Sequence, residues 1–139
     1  MAEITKHYPE FLWPVRVYYE DTDLAGVVYY ANYLKYLERA RTEWLRQLGF
    51  QQSLLKADHD VIFMVKRLEI NYIKPARFDD HLLIGVQLID CRRASLVLRQ
   101  WVCRDIEILN EAQITLAAVN ASTGRARAIP LSIVNILTS

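Results

Sequence analysis

The chain has 139 residues, 53% of them hydrophobic and 24% charged, the size and balance of one globular domain spanning residues 1–139 rather than of a disordered segment. Seventeen Lys and Arg against sixteen Asp and Glu leave a net charge of +1, so no overall field gathers nucleic acid or anionic membrane. Gly26, Gly49, Gly85 and Gly124 lie far apart, which excludes GxGxxG, the P-loop and GxSxG; His7, His59 and His81 make no HxH or HExxH, so neither a metal nor another cofactor is expected.

No apolar run approaches the roughly 20 residues that span a bilayer, and Met1 to Arg16 is too mixed for a signal peptide. Cys91 and Cys103 form no CxxC pair, which suits a reducing cytoplasmic home. After an N-terminal arm (1–12), Val15, Val17 and Tyr19 alternate with Arg16, Tyr18 and Glu20 as in a half-buried strand. The strand stops at Glu20-Asp21-Thr22-Asp23, a polar turn shortly before Gly26.

From Asn32 the period lengthens. Tyr33, Leu37, Ala40, Trp44 and Leu48 form one apolar stripe, widened by Leu34 and Leu45. Asn32 is the expected N-cap, Gly49 the stop, and Arg39–Glu43 an i,i+4 pair, giving one helix of about 17 residues and the only strong helix in the chain. Strands follow: Val61 to Lys74, whose apolar phase flips near Lys66 and so predicts a bulge there; His81 to Asp90; Ser95 to Glu107; and, after a turn at Asn110-Glu111, Gln113 to Asn120. The tail (121–139) carries one short helical turn within Leu131 to Leu137. The order predicts an α+β domain: a five-stranded antiparallel sheet, its strands in hairpin succession, wrapped around one long central helix. Open sheet edges make a dimer the natural completion.

The segment from Tyr18 to Tyr33 concentrates the chemistry. Three carboxylates precede a glycine, a tyrosine-rich patch and a helix start. A helix N-terminus offers free N–H groups to an oxyanion, and a nearby carboxylate serves as general base or nucleophile. Acyl transfer or hydrolysis is the functional reading; an acidic turn that merely solvates the chain and caps the helix is the bland one.

The run Val17-Tyr18-Tyr19-Glu20-Asp21-Thr22-Asp23, with Ala25-Gly26-Val27-Val28-Tyr29-Tyr30-Ala31-Asn32-Tyr33 and Glu38-Arg39-Ala40-Arg41, resembles the signature of the hotdog-fold acyl-CoA thioesterases. Within the 4-hydroxybenzoyl-CoA thioesterase family it is most similar to the tol-pal-associated YbgC type. Weaker likeness continues through Asn71-Tyr72, Lys74-Pro75-Ala76-Arg77, Asp79-Asp80, Arg92-Arg93-Ala94-Ser95-Leu96 and Arg127-Ala128-Ile129-Pro130.

The resemblance implies the hotdog fold and hydrolysis of an acyl-CoA, or an acyl carrier protein thioester, to acid and free thiol. It implies Asp23 as nucleophile or general base and the backbone N–H at Tyr30 as the donor that polarises the thioester oxygen. Many YbgC-type members carry His at the Tyr30 position and the hydroxybenzoyl members Tyr, so a backbone role carries over and an imidazole role does not. Glu38 is a second candidate carboxylate, because some relatives place the acid on the helix; an ordinary salt bridge to Arg39 or Arg41 is its alternative. Arg92, Arg93 and Ser95 are the candidates for the CoA phosphates, partly across subunits, against the alternative of a solvated turn. A homodimer or homotetramer, and peripheral inner-membrane association in a Tol–Pal context, follow by family implication alone. A hydratase on this fold, or a non-catalytic acyl- or protein-binding module, are the competing classes; the remote histidines disfavour the hydratase. Cys91, Cys103 and His59 read as packing and loop residues, and the tyrosines and Trp44 as core and dimer contacts, some lining an acyl pocket.

Overall fold

The computed structural model describes residues 8–139. Five antiparallel strands, β1 (Phe11–Arg16), β2 (Val61–Tyr72), β3 (His81–Cys91), β4 (Ser95–Arg104) and β5 (Glu107–Asn120), form one sheet in the order β1-β3-β4-β5-β2. The helices are α1 (Tyr33–Gln47), α2 (Gln52–His59) and α3 (Leu131–Leu137). Residues 1–7 of the expected N-terminal arm lie outside the described residues, and Phe11 and Leu12 of that arm already belong to β1.

The first strand sits earlier in the chain than its alternation suggested. Pro14 is tolerated because β1 is an edge strand, pairing only with β3 from Phe11↔Val86 to Arg16↔His81. Tyr18 and Tyr19 leave the sheet because the Asp21 carboxylate accepts the Tyr18 N–H (2.8 Å) and draws Tyr19–Asp21 into a 3₁₀ turn. The strands after α1 are not a simple run of hairpins, since β2 crosses to the far edge and pairs with β5. Its bulge falls between Val65 and Arg67, where the apolar phase changes. The last hairpin turns at Asp105 (φ 54°) and Ile106, not at Asn110-Glu111, so β5 begins at Glu107.

The α1 stripe does what its spacing implies: Tyr33, Leu37, Ala40, Trp44 and Leu45 are buried, with Tyr36 added and Leu34 left exposed. They pack against Leu82, Ile84, Val86, Leu96, Leu98, Ile114 and Leu116 on one face of the sheet. That helix on that sheet face is the hotdog arrangement. Gln100, fully buried on β4, ties the two layers together: its Nε2 donates to the Leu37 carbonyl (3.0 Å) and its Oε1 accepts from Arg41 Nη1 (2.9 Å). Removing both bonds in Gln100→Leu strands the Arg41 guanidinium, and at about 2 kcal/mol for a bond to a charged group the unfolding midpoint should fall by several degrees in calorimetry.

Gly49 (φ 97°) ends the helical stretch, as its position after the stripe implied. The short helix α2, which the sequence did not announce, follows at once and buries only Leu55. Ile129, Ile133 and Leu137 bring the C-terminal tail into the core through α3. Among the described residues no helix is long and apolar enough to cross a membrane.

Candidate active site

The acidic segment folds into a small hairpin whose tip is Asp23–Gly26. Asp23 N–H donates to the Val27 carbonyl (2.9 Å), Gly26 N–H to the Asp23 carbonyl (3.0 Å), and Thr22 pairs with Val28. The tip needs a positive φ, and Gly26 supplies it at 78°. Asp23 is exposed in the single chain; its Oδ1 accepts the Ala25 N–H (2.8 Å), leaving Oδ2 with no protein donor among the described residues. The hairpin is moored to the segment before β3: Val28 N–H donates to Ala76 O (2.8 Å), Phe78 N–H to Gly26 O (3.3 Å), and Tyr19 stacks on Phe78 at 3.9 Å.

At the base of this hairpin the chain enters a 3₁₀ turn, Tyr30–Asn32, that runs directly into α1. The opening N–H groups of a helical turn have no partner within the helix, and Tyr30 carries the first. Asn32 does not act as the expected N-cap. Its backbone is already helical (φ −71°, ψ −21°), and its side chain reaches back instead to the Asp21 carbonyl (2.9 Å). That carbonyl also accepts Tyr29 N–H (2.9 Å), while Asn32 N–H donates to Tyr29 O (2.8 Å). Asp21, only 8% exposed, is a structural residue: its backbone carbonyl takes these bonds and its carboxylate accepts Tyr18 N–H.

The turn opens on a cleft of about 260 Å³ lined by Val28, Tyr30, Tyr33, Tyr72, Ile73, Lys74 and Pro75. Tyr30 meets Tyr72 edge-on at 6.3 Å, Tyr33 lies 5.7 Å from Tyr72, and the Tyr72 hydroxyl donates to Tyr30 O (3.1 Å). The Tyr33 hydroxyl accepts Ala76 N–H (2.9 Å) and so holds the cleft's far wall.

Burial pushes the Tyr33 and Tyr72 hydroxyls above the ordinary tyrosine value, and the hydrogen bond to Tyr30 does the same for Tyr29. Tyr36 is raised furthest, by burial and then by the Asp21 carboxylate beside it, although among the described residues its hydroxyl closes no hydrogen bond. These four hydroxyls stay protonated at neutral pH and do not act as bases. Burial likewise raises the Cys91 and Cys103 thiols, which removes a cysteine nucleophile from contention.

Glu38 lies away from this cleft, exposed on α1, and makes no ion pair with Arg39 or Arg41 among the described residues. The expected Arg39–Glu43 pair is replaced by Glu43–Arg46. Glu38 also borders a larger surface depression, about 560 Å³ between Trp13 and the Lys35–Glu43 flank of α1. That flank lacks both a helix start and the tyrosine wall, so size alone does not make it the reaction site.

Arg92, Arg93 and Ser95 occupy the β3–β4 turn, closed by Arg92 N–H to Ser95 O (2.8 Å). Arg92 pairs with Asp90 (3.0 Å), and Arg93 is exposed without an ion pair among the described residues. This turn follows the C-terminal end of β3, whereas Asp23 is moored just before its start. At about 3.4 Å per residue the strand alone puts on the order of 35 Å of chain between them. Within one chain the structure therefore joins Tyr30 and Tyr72 at the cleft, sets Asp23 at the tip of the adjoining hairpin, and leaves Arg92 and Arg93 at the far end of β3.

Residues 17–137 match the thioesterase-like superfamily. The acyl-CoA thioester hydrolase YbgC of Escherichia coli O6:H1 is 46% identical over 125 residues, 89% of this chain and 92% of that protein. The acyl-CoA thioesterase YbgC of Haemophilus influenzae is 41% identical over 86% of this chain and 88% of its own. Among solved structures, a probable thioesterase from Bartonella henselae superposes with a TM-score of 0.84 at 34% identity, covering 88% of this chain and all of that one. The chain belongs to the thioesterase-like superfamily and is a hotdog-fold thioesterase of the YbgC type.

Proposed function

We propose that the protein hydrolyses acyl-CoA thioesters to a carboxylic acid and free CoA, with Asp23 activating the water that attacks the thioester carbonyl carbon, or attacking that carbon itself to form a mixed anhydride that water then cleaves to the acid and free Asp23. The N–H at Tyr30 receives the developing oxyanion, and the thiolate leaves as the tetrahedral intermediate collapses. The observation that carries this reading is the helix start itself. A first turn with free donors opens on the tyrosine-walled cleft and is hydrogen-bonded to the acidic hairpin that bears Asp23. The names of the relatives, acyl-CoA thioester hydrolase and acyl-CoA thioesterase, support the same substrate class.

Arg92 and Arg93 suit the CoA phosphates, as guanidinium forks do. Their distance along β3 from Asp23 leads us to assign them to the site of the neighbouring subunit, in a homodimer or an assembly of homodimers. An acyl carrier protein is the alternative thiol donor, and the cytoplasm the compartment in which either is met. Incubating the protein with short, long and aromatic acyl-CoAs and following free thiol tests the assignment. Saturable release with at least one of them is expected; release at the protein-free rate across the panel would reject it, and would leave a non-catalytic binding module as the better reading.

A further inference from the structure

Two side chains outside the expected catalytic set converge on the turn that would hold the oxyanion. Asn32 Nδ2 donates to the Asp21 carbonyl (2.9 Å) and the Tyr72 hydroxyl to the Tyr30 carbonyl (3.1 Å). The first bond joins the helix start to the acidic hairpin two residues from Asp23. The second joins the same turn to the end of β2. Neither residue is needed to build its own element. Asn32 makes no capping bond, and Tyr72 ends a strand already paired with β5 through Asn110.

From this geometry we infer that Asn32 and Tyr72 are positioning residues that fix the Tyr30 N–H relative to the Asp23 carboxylate, an inference that rests on the catalytic reading above. The Asp21 carbonyl takes a donor from each side of Tyr30: Tyr29 N–H before it and the Asn32 carboxamide after it. Tyr30 is thus bracketed, and its peptide plane cannot swing without breaking one of the two. The Asn32 N–H bond to Tyr29 O (2.8 Å) acts on the very peptide unit that carries the Tyr30 N–H; a donor on that carbonyl polarises the N–H at the other end of the unit. Tyr72 holds the next peptide, through Tyr30 O, and its ring closes the cleft against Tyr33. Its raised pKa keeps the hydroxyl available as a donor throughout the neutral range.

A donor aimed at a developing oxyanion is effective only within a narrow geometry, and an error of about 1 Å costs on the order of a hundredfold in rate. Asn32→Ala and Tyr72→Phe each delete one bond and leave Asp23, the Tyr30 amide and Arg92–Arg93 in the sequence. The expected result at 25 °C, well below the unfolding midpoint, is a fall in kcat of roughly ten- to a hundredfold. KM and inhibition by free CoA should stay within about twofold, since neither side chain sits at the nucleotide end. Should Asn32→Ala not fold, Asn32→Asp keeps the shape without the donor. Protonating that aspartate restores an O–H, so its activity relative to the native protein should recover as pH falls, whereas that of Tyr72→Phe should not. A merely structural role moves the unfolding midpoint and leaves kcat of the folded protein within twofold; that result, beside an inactive Asp23→Asn, overturns this inference alone. An active Asp23→Asn overturns the catalytic reading and this inference with it.

Discussion

Asp23→Asn is expected to lower kcat by about a thousandfold, within the range lost when a positioned base or nucleophile is removed. The substitution separates charge from structure with little ambiguity. The native Oδ1 accepts the Ala25 N–H, and an asparagine oxygen accepts it equally well, so the hairpin tip should persist with Gly26 at its positive φ. What disappears is the negative charge on the exposed oxygen. The unfolding midpoint should therefore shift by no more than a degree or two, about the effect of a surface change of ±0.5 kcal/mol. Binding of free CoA should be unchanged, because the substitution leaves the proposed phosphate-binding Arg92 and Arg93 intact. Glu38→Gln in the same assay separates the two carboxylates: with the chemistry on Asp23, it should keep turnover within about threefold, as a surface change on α1 does. Near-native hydrolysis by Asp23→Asn together with loss in Glu38→Gln would transfer the chemistry to the helix.

Gly85→Ala should cause a large loss of stability, since of the four glycines Gly85 alone has no room for a Cβ. A Cβ at position 85 would stand 2.0 Å from the Trp101 ring, because Gly85 and Trp101 are directly opposed on β3 and β4. The indole cannot retreat cheaply, being 5% exposed and carrying the Arg99 guanidinium 4.4 Å from its ring centre. Arg99 is in turn held by Glu111 at 2.9 Å. Overpacking of this kind costs about 3 kcal/mol, which for a domain of this size lowers the midpoint by about 10 °C. Thermal unfolding followed by circular dichroism measures it, and a shift under 2 °C would mean that the ring moves freely after all.

The parts of the fold that the sequence discloses are those where one local pattern dominates. The α1 stripe is amphipathic along its whole length, and the phase change around Lys66 has no explanation but a bulge. Elsewhere tertiary partners override the local signal. Asn110-Glu111 looks like a turn, yet Asn110 is fully buried in β5 between Tyr72 and Val102, and the real turn uses Asp105 in a left-handed conformation. Helix α2 has one buried residue and no capping side chain, so no periodicity marks it. The placement of β2 beside β5 is a long-range choice that succession along the chain does not encode.

The site divides the same way. Asp23, Tyr30 and the arginine pair are visible as motif residues through their resemblance to a family. Tyr72 and the true partner of Asn32 are not, since Asn before a helix reads as a cap and a tyrosine at a strand end reads as core. Their roles exist only once β2 and the hairpin are folded against the helix start. The separation of Arg92 and Arg93 from Asp23 is likewise invisible until the strand between them is drawn at full length.

That separation supplies the most direct test of a site shared between two copies of the chain. Asp23→Asn chains and Arg92→Ala/Arg93→Ala chains, unfolded together in equal amounts and refolded, form mixed dimers in which one site recovers both native halves. Measured as kcat/KM at low acyl-CoA, the mixture should regain about a quarter of native activity, the fraction expected for random pairing in a two-fold dimer. Activity no greater than the average of the two variants refolded separately would contradict a shared site and place both groups in one chain.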